Sequence, residues 1–326
     1  MTTENIPKII LHLHLDGSLD LDLAVKWLHE DGYNYTKKQV KKLLSVDKDC
    51  HNLNDYLTKF TIPCKLLTTE ERLEEATYTL LKKLASENVV YAEIRFAPLK
   101  HQAKGLTKDD VIKAVIKGKD KATTDYNIDC SLILCCMRDS SIEDNLQVVS
   151  LAKKYQTAID LAGAESIYKT KDFKYIFDYA KKENIPYTIH AGEASGKDSI
   201  NSALDFGTKR LGHGIKCIED KDTLERIKKE KVLLEICLTS NYQTEAIKGK
   251  HPLEELYNQG INISINTDND TVSNINITEE YKRILKETNL TIKDLIKCNY
   301  NSIDYLFTSN EIKDKLKSIY QNINSQ

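Results

Sequence analysis

The sequence predicts an α/β protein, a (β/α)8 barrel of the TIM type with extra helices inserted between its first two strands. Three observations lead there. Eight short apolar runs end in polar residues or glycine, helix-like windows separate most of them, and one gap, 15–88, is far too long for a single crossover. An open doubly wound sheet is the structural alternative, and the motifs at the run ends favour the barrel.

The runs are, in order, Lys8–His14 (KIILHLH), Val89–Ala97 (VVYAEIRFA), Ser131–Arg138 (SLILCCMR), Ala158–Ala162 (AIDLA), Tyr187–His190 (YTIH), Arg210–His213 (RLGH), Val232–Leu238 (VLLEICL) and Asn262–Asn266 (NISIN). Short continuous apolar runs suit strands buried on both faces of a parallel sheet. The fifth and sixth are short and polar, and propensity supports them least. Between the first two strands, Thr68 and Glu71 form a capping box that opens ERLEEATYTLLKKLASE, where Leu73, Ala76, Leu80, Leu81 and Leu84 recur at helical spacing. Thr107 and Asp110 open a second helix with Val111, Ile112, Val115 and Ile116 on one face. Further helical stretches begin near Ser141, Asp172, Asp222, Thr278 and Thr291. The long 15–88 segment is expected to lie over the barrel mouth. With no internal repeat, low-complexity stretch or Gly/Pro-rich linker, residues 1–326 read as one domain.

Composition narrows the function. The chain carries 47 Lys+Arg against 49 Asp+Glu, a net charge of −2, which argues against a protein built to neutralise nucleic-acid phosphates. No apolar run approaches the roughly 18 residues of a membrane span. The N-terminal IILHLHL is broken by histidines and lacks the flanks of a signal peptide. The eight Cys, at 50, 64, 130, 135, 136, 217, 237 and 298, contain no CxxC and read as reduced thiols, so a cytoplasmic location is expected. Cys135 and Cys136 are strand neighbours facing opposite sides, which suits core filling. His29, His51, His101 and His251 have no motif context and read as surface or loop groups. Trp27, with Leu23, Leu28 and Tyr56, either lines an apolar lid or packs in the core. The Lys-rich stretches at 37–42, 112–121 and 226–231 read as solvated helix faces.

The chemistry sits at the run ends. His12 and His14 are two apart on a strand, so they point the same way. The fifth run ends in His190-Ala191-Gly192-Glu193, the sixth in His213-Gly214, and the eighth in Asn266-Thr267-Asp268-Asn269. Barrel enzymes place their sites at the C-terminal strand ends, where these side chains converge. Histidines with an aspartate form a nitrogen- and oxygen-rich set suited to Zn²⁺, with room left for water. Other arrangements fail on spacing: HExxH, PCxxC, GxGxxG and GxxxxGK[ST] are all absent. The fourth run, AIDLAG, offers no lysine to bridge two metals, so one metal per chain is expected.

Seven ordered motifs, HLHLDGSL (12–19), EIRFAP (93–98), AIDLAG (158–163), HAGE (190–193), GHG (212–214), TSN (239–241) and NTDN (266–269), make the sequence resemble the adenosine deaminase family of the amidohydrolase superfamily. The resemblance implies zinc-dependent hydrolysis of adenosine, and of 2′-deoxyadenosine, to inosine or deoxyinosine and ammonia. It implies His12, His14, His190 and Asp268 as zinc ligands, Glu193 as the acid facing purine N1, and His213 beside the attacking water. It places the Gly163 N–H at purine N3 and Asp16 at the ribose 5′-hydroxyl, with no organic cofactor, nucleic acid or membrane involved. Two departures stand out. Asn269 replaces a usual aspartate and can donate to purine N7 without first being protonated. Leu238 stands where proline is usual before TSN, and a small change of loop geometry is expected. The alternatives are a sister enzyme acting on adenine or a modified adenosine, or a non-catalytic signalling relative. Adenine-specific relatives carry a His-Ile-Glu-Gly-Thr-like string where this chain has Leu15-Asp16-Gly17-Ser18.

Overall fold

The computed structural model describes residues 1–47, 50 and 52–324. His51 lies outside the described residues. Eight parallel strands follow one another through the chain: β1 (Lys8–His14), β2 (Val89–Phe96), β3 (Asp129–Met137), β4 (Ala158–Ala162), β5 (Ile189–Ala191), β6 (Arg210–His213), β7 (Leu233–Ile236) and β8 (Asn262–Ile265). They pair as two arcs, β1-β2-β3-β4 and β5-β6-β7-β8. Single bridges, Leu13 with Asp268 and Ile159 with Tyr187, join the arcs at the two seams and close the barrel. At the first seam Asn266 Oδ1 also accepts from the backbone N–H groups of Leu11 (2.7 Å) and His12 (3.0 Å).

The first, fourth and sixth strands have the predicted bounds, and the other five differ from them by one or two residues at one or both ends. The fifth strand starts at Ile189 because Tyr187 makes only the isolated seam bridge. The seventh stops at Ile236 because Leu238–Gln243 turns into a short helix. The outer helices follow the predicted caps at Thr107, Ser141 and Thr291. Elsewhere the caps differ. Thr69, not Thr68, accepts from the Arg72 N–H, while the buried Thr68 hydroxyl donates to Lys65 O. Asp220 and Asn276 cap the helices expected at Asp222 and Thr278, and a 3-10 turn, Thr170–Phe173, precedes the one expected at Asp172. The helix Lys197–Asp205 was not anticipated; Gly196 before it offers no side-chain cap.

Between β1 and β2 run the helices Leu21–Glu30, Lys37–Leu44, Leu53–Leu57, Thr61–Leu66 and Glu70–Ser86. The last packs against Lys108–Asp125 as part of the outer ring, so the inserted portion ends before it. Trp27 belongs to the core: it is 1% exposed, with the Arg72 guanidinium 5.5 Å from its ring. Tyr56, by contrast, lines the main cavity. No helix among the described residues is long and apolar enough to cross a membrane.

Candidate active site

The barrel interior beneath the mouth is ionic. Arg95 on β2 reaches Asp160 on β4 (2.9 Å) and Glu235 on β7 (2.8 Å). Arg210 on β6 reaches Glu235 (2.7 Å) and Glu93 on β2 (2.6 Å). Burial alone would raise the Asp160 and Glu235 carboxyls, but their partners outweigh it: His190 and Arg95 hold Asp160 below its ordinary value, and Arg95 and Arg210 hold Glu235 well below.

These carboxylates orient two histidines. His12 Nδ1 lies 2.9 Å from Glu235 Oε2, and His190 Nδ1 lies 2.8 Å from Asp160 Oδ2. His12, hydrogen-bonded through Nδ1 to Glu235, keeps its Nε2 lone pair for a metal, the usual carboxylate–histidine pattern. His12 Nε2 has no hydrogen-bond partner and faces Asp268 Oδ1 at 3.2 Å, and His14 Nε2 stands 3.4 Å from the same oxygen. Lone pair against carboxylate oxygen is repulsive unless a cation lies between them, so the donor set fits a bound metal. Burial, the leading cause, keeps His12 and His14 neutral, the form that ligates. One ligand atom from each of His12, His190, His213 and Asp268 falls within 4.8 Å of the others. His14, expected in the set, is instead tied to it through Asp268, with its ring 5.4 Å from that of His190.

Two site residues sit in left-handed backbone that non-glycine residues seldom adopt, His213 at φ 64° and Asp268 at φ 63°. The turn after β7 orients both side chains. Ser240 Oγ donates to Asp268 Oδ2 (2.6 Å), leaving Oδ1 for the histidines, and Asn241 Nδ2 contacts His213 Nδ1 at 2.9 Å. Leu238 is buried and begins this turn's helix, Leu238–Gln243.

The cluster opens into a cavity of about 320 Å³, within the usual range for small-molecule sites. Its roof is apolar: Leu53, Tyr56, Leu57 and Phe60 from the insertion. Glu193 on the loop after β5 faces it, its Oε1 accepting from Thr244 Oγ1 at 3.1 Å and its Oε2 3.6 Å from His213 Nε2. Burial, with the Asp268 charge, pushes the Glu193 carboxyl up to about 8, so it holds a proton at neutral pH. Gly163, at φ 106°, also lines the cavity, in a backbone conformation that a side chain would strain.

Comparison with known proteins agrees with this geometry. The family model described as Adenosine deaminase matches residues 7–322. The chain belongs to the adenosine deaminase family. It is 39% identical to an adenosine deaminase of Clostridium perfringens over 327 residues, covering 97% of this chain and 98% of that protein. It is 39% identical to one of Haemophilus ducreyi over 322 residues, covering 94% of each. Among solved structures, an Arabidopsis thaliana N6-methyl-AMP deaminase superposes with a TM-score of 0.86 at 28% identity, covering 98% of this chain and 97% of that one. An Arthrobacter aurescens adenine deaminase shares the fold, with a TM-score of 0.90 at 24% identity over 98% of this chain and 99% of that one.

The residues that the family resemblance singles out all reach the cavity or its floor. Asp16 and Asn269 stand together because Gly17 has no Cβ, which would fall 1.7 Å from Asn269 Oδ1. Burial pushes the Asp16 carboxyl up to about 6. Two histidines read as surface groups are buried instead. His101 is 0% exposed, with Nε2 3.8 Å from Asp16 Oδ2, and His251 is 3% exposed behind Asn241. Neither histidine lies in a motif itself, so local pattern gave no sign of their burial. Glu165 was also missed. Its carboxylate accepts from four successive amides, Gly192 to Ser195, at 2.7–3.1 Å, and so holds the loop that carries Glu193. Cys135 and Cys136 face opposite sides as expected, Cys135 toward the cavity and Cys136 toward the helix that carries Asn145.

Proposed function

We propose that this chain hydrolytically deaminates adenosine and 2′-deoxyadenosine, giving inosine or deoxyinosine and ammonia, with one Zn²⁺ held by His12, His14, His190 and Asp268. The observation that carries the reading is the buried Glu193 carboxyl facing a histidine–aspartate cluster in a cavity roofed by apolar side chains. A bound Zn²⁺ lowers the pKa of water toward ~7 and so supplies a nucleophile at neutral pH.

The chain's own residues do the rest. Asp268 and His213 orient the attacking water toward C6 of the purine, and the Asp268 carboxylate takes its proton. As the C6–O bond forms, the C6=N1 electrons move to N1, where the Glu193 proton is delivered. The proton taken from water passes to the exocyclic amine, the C6–N bond breaks as the C6 hydroxyl returns a proton to the Glu193 carboxylate to leave C6=O, and ammonia leaves. The Gly163 N–H holds N3, Asn269 donates to N7, and Asp16 meets the ribose 5′-hydroxyl. Residues 1–326 act as one barrel domain whose 15–88 segment supplies the cavity roof. A cytoplasmic location suits the eight free thiols.

Steady-state assays of the zinc-loaded protein on adenosine, deoxyadenosine, adenine and AMP test this reading. Adenosine and deoxyadenosine are expected to give the highest kcat/KM. Preference for adenine, or no turnover of any nucleoside, overturns it.

A further inference from the structure

A chain of three hydrogen bonds runs from a backbone amide to the back of His213. The Leu253 N–H meets His251 Nδ1 at 3.1 Å, His251 Nε2 meets Asn241 Oδ1 at 3.1 Å, and Asn241 Nδ2 meets His213 Nδ1 at 2.9 Å. All three side chains are buried, at 3%, 0% and 1% exposure for His251, Asn241 and His213. A backbone N–H can only donate, and that fixes the direction of every bond in the chain. His251 Nδ1 must accept. Burial pushes the pKa of this ring down to about 3, so it is neutral and its single proton is on Nε2. That proton needs an acceptor, so Asn241 turns its oxygen to His251 and its nitrogen to His213. The reverse amide orientation would set two N–H groups against each other in a buried site and leave both unpaired, which burial makes costly. His213 Nδ1 therefore accepts, and the proton of the neutral ring is on Nε2, facing the cavity.

We propose that Asn241 and His251 are positioning residues that hold His213 as its Nε2–H tautomer, so that it meets the attacking water as a hydrogen-bond donor. In this state neither ring nitrogen has a free lone pair. His213 then stands outside the metal's ligand set despite its place in the cluster, and the water's proton goes to Asp268. The role of His213 toward water rests on the deaminase reading; its tautomer does not.

The experiment is ring-nitrogen NMR of the zinc-loaded protein labelled with ¹⁵N-histidine, with His213 assigned by the signals lost in His213→Asn. The native protein is expected to carry the His213 proton on Nε2. Asn241→Asp can only accept, so it should move that proton to Nδ1 and lower kcat by up to about 10⁴, the loss a wrong tautomer causes in a serine protease triad. His251→Leu removes the donor to Asn241 and should lower kcat about 10-fold or more with KM within about threefold. His251→Gln, which restores an N–H donor, should recover most of the loss. A native spectrum with the proton on Nδ1 overturns the proposal, as does His251→Leu with native spectrum and kcat. If His251→Leu does not fold, the native and Asn241→Asp spectra decide. Failure of the deaminase reading would show as absent turnover with the tautomer pattern intact.

Discussion

Beneath the ligand cluster, two arginines and three carboxylates meet at 2.6–2.9 Å with each side chain at most 1% exposed. Above it, residues 53–66 cover the cavity with apolar side chains on helices of five and six residues joined by a 3-10 turn. The floor is polar, long-range and fully enclosed, and its carboxylates face Nδ1 of His12 and His190. The roof is apolar and local, and helices this short have no stability of their own without packing. Orientation of the reacting groups is therefore built into the barrel, whereas the cover over the cavity is built from short helices that depend on their packing.

Substitutions can break or sharpen this contrast. The largest effect belongs to the group between floor and roof. Glu193→Gln should retain metal, measured by elemental analysis, and lose about 10³-fold or more in kcat. The native alkaline limb should vanish with it. Glu193 acts in its protonated form, which is full below a pKa of about 8 and is lost as pH rises through it, so native kcat/KM should fall on the alkaline side. Arg95→Met removes the floor's central cation and leaves Asp160 and Glu235 underpaired. A loss of about 3–5 kcal/mol is expected in urea unfolding. Glu235→Gln keeps shape but weakens the partner of His12, so chelator competition should show metal affinity down about 10–100-fold. Phe60→Ala in the roof should raise KM about tenfold and leave metal affinity unchanged. Equal effects of the Phe60 and Glu235 changes on metal binding would erase the distinction between floor and roof.

Much of the site was legible because strand geometry is rigid. His12 and His14 share a side by the two-residue period, and HAGE, GHG and NTDN fall at strand ends where a barrel puts its chemistry. The floor was present in the same strands: Glu93 and Arg95 lie two apart in VVYAEIRFA, and Glu235 interrupts VLLEICL. Charges in runs otherwise buried on both faces signal an ionic interior, though their pairing depends on which strands are neighbours across the barrel. His101, His251 and Glu165 left no such trace. Their partners, Asp16, Asn241 and the amides of 192–195, are brought to them by tertiary structure alone.

The two seams of the barrel give the metal site a second meaning. The proposed ligands straddle the first seam, with His12 and His14 on β1 and Asp268 just past β8, while His190 on β5 belongs to the other arc from β1. An ion held by all four is a staple across a ring whose halves otherwise share few backbone bridges. Loading it would stabilise the closed ring over the unfolded ensemble, raising the melting temperature with the logarithm of ion concentration over Kd. Amide exchange in β1 and β5 would slow together, because neither arc could then fray without releasing the other.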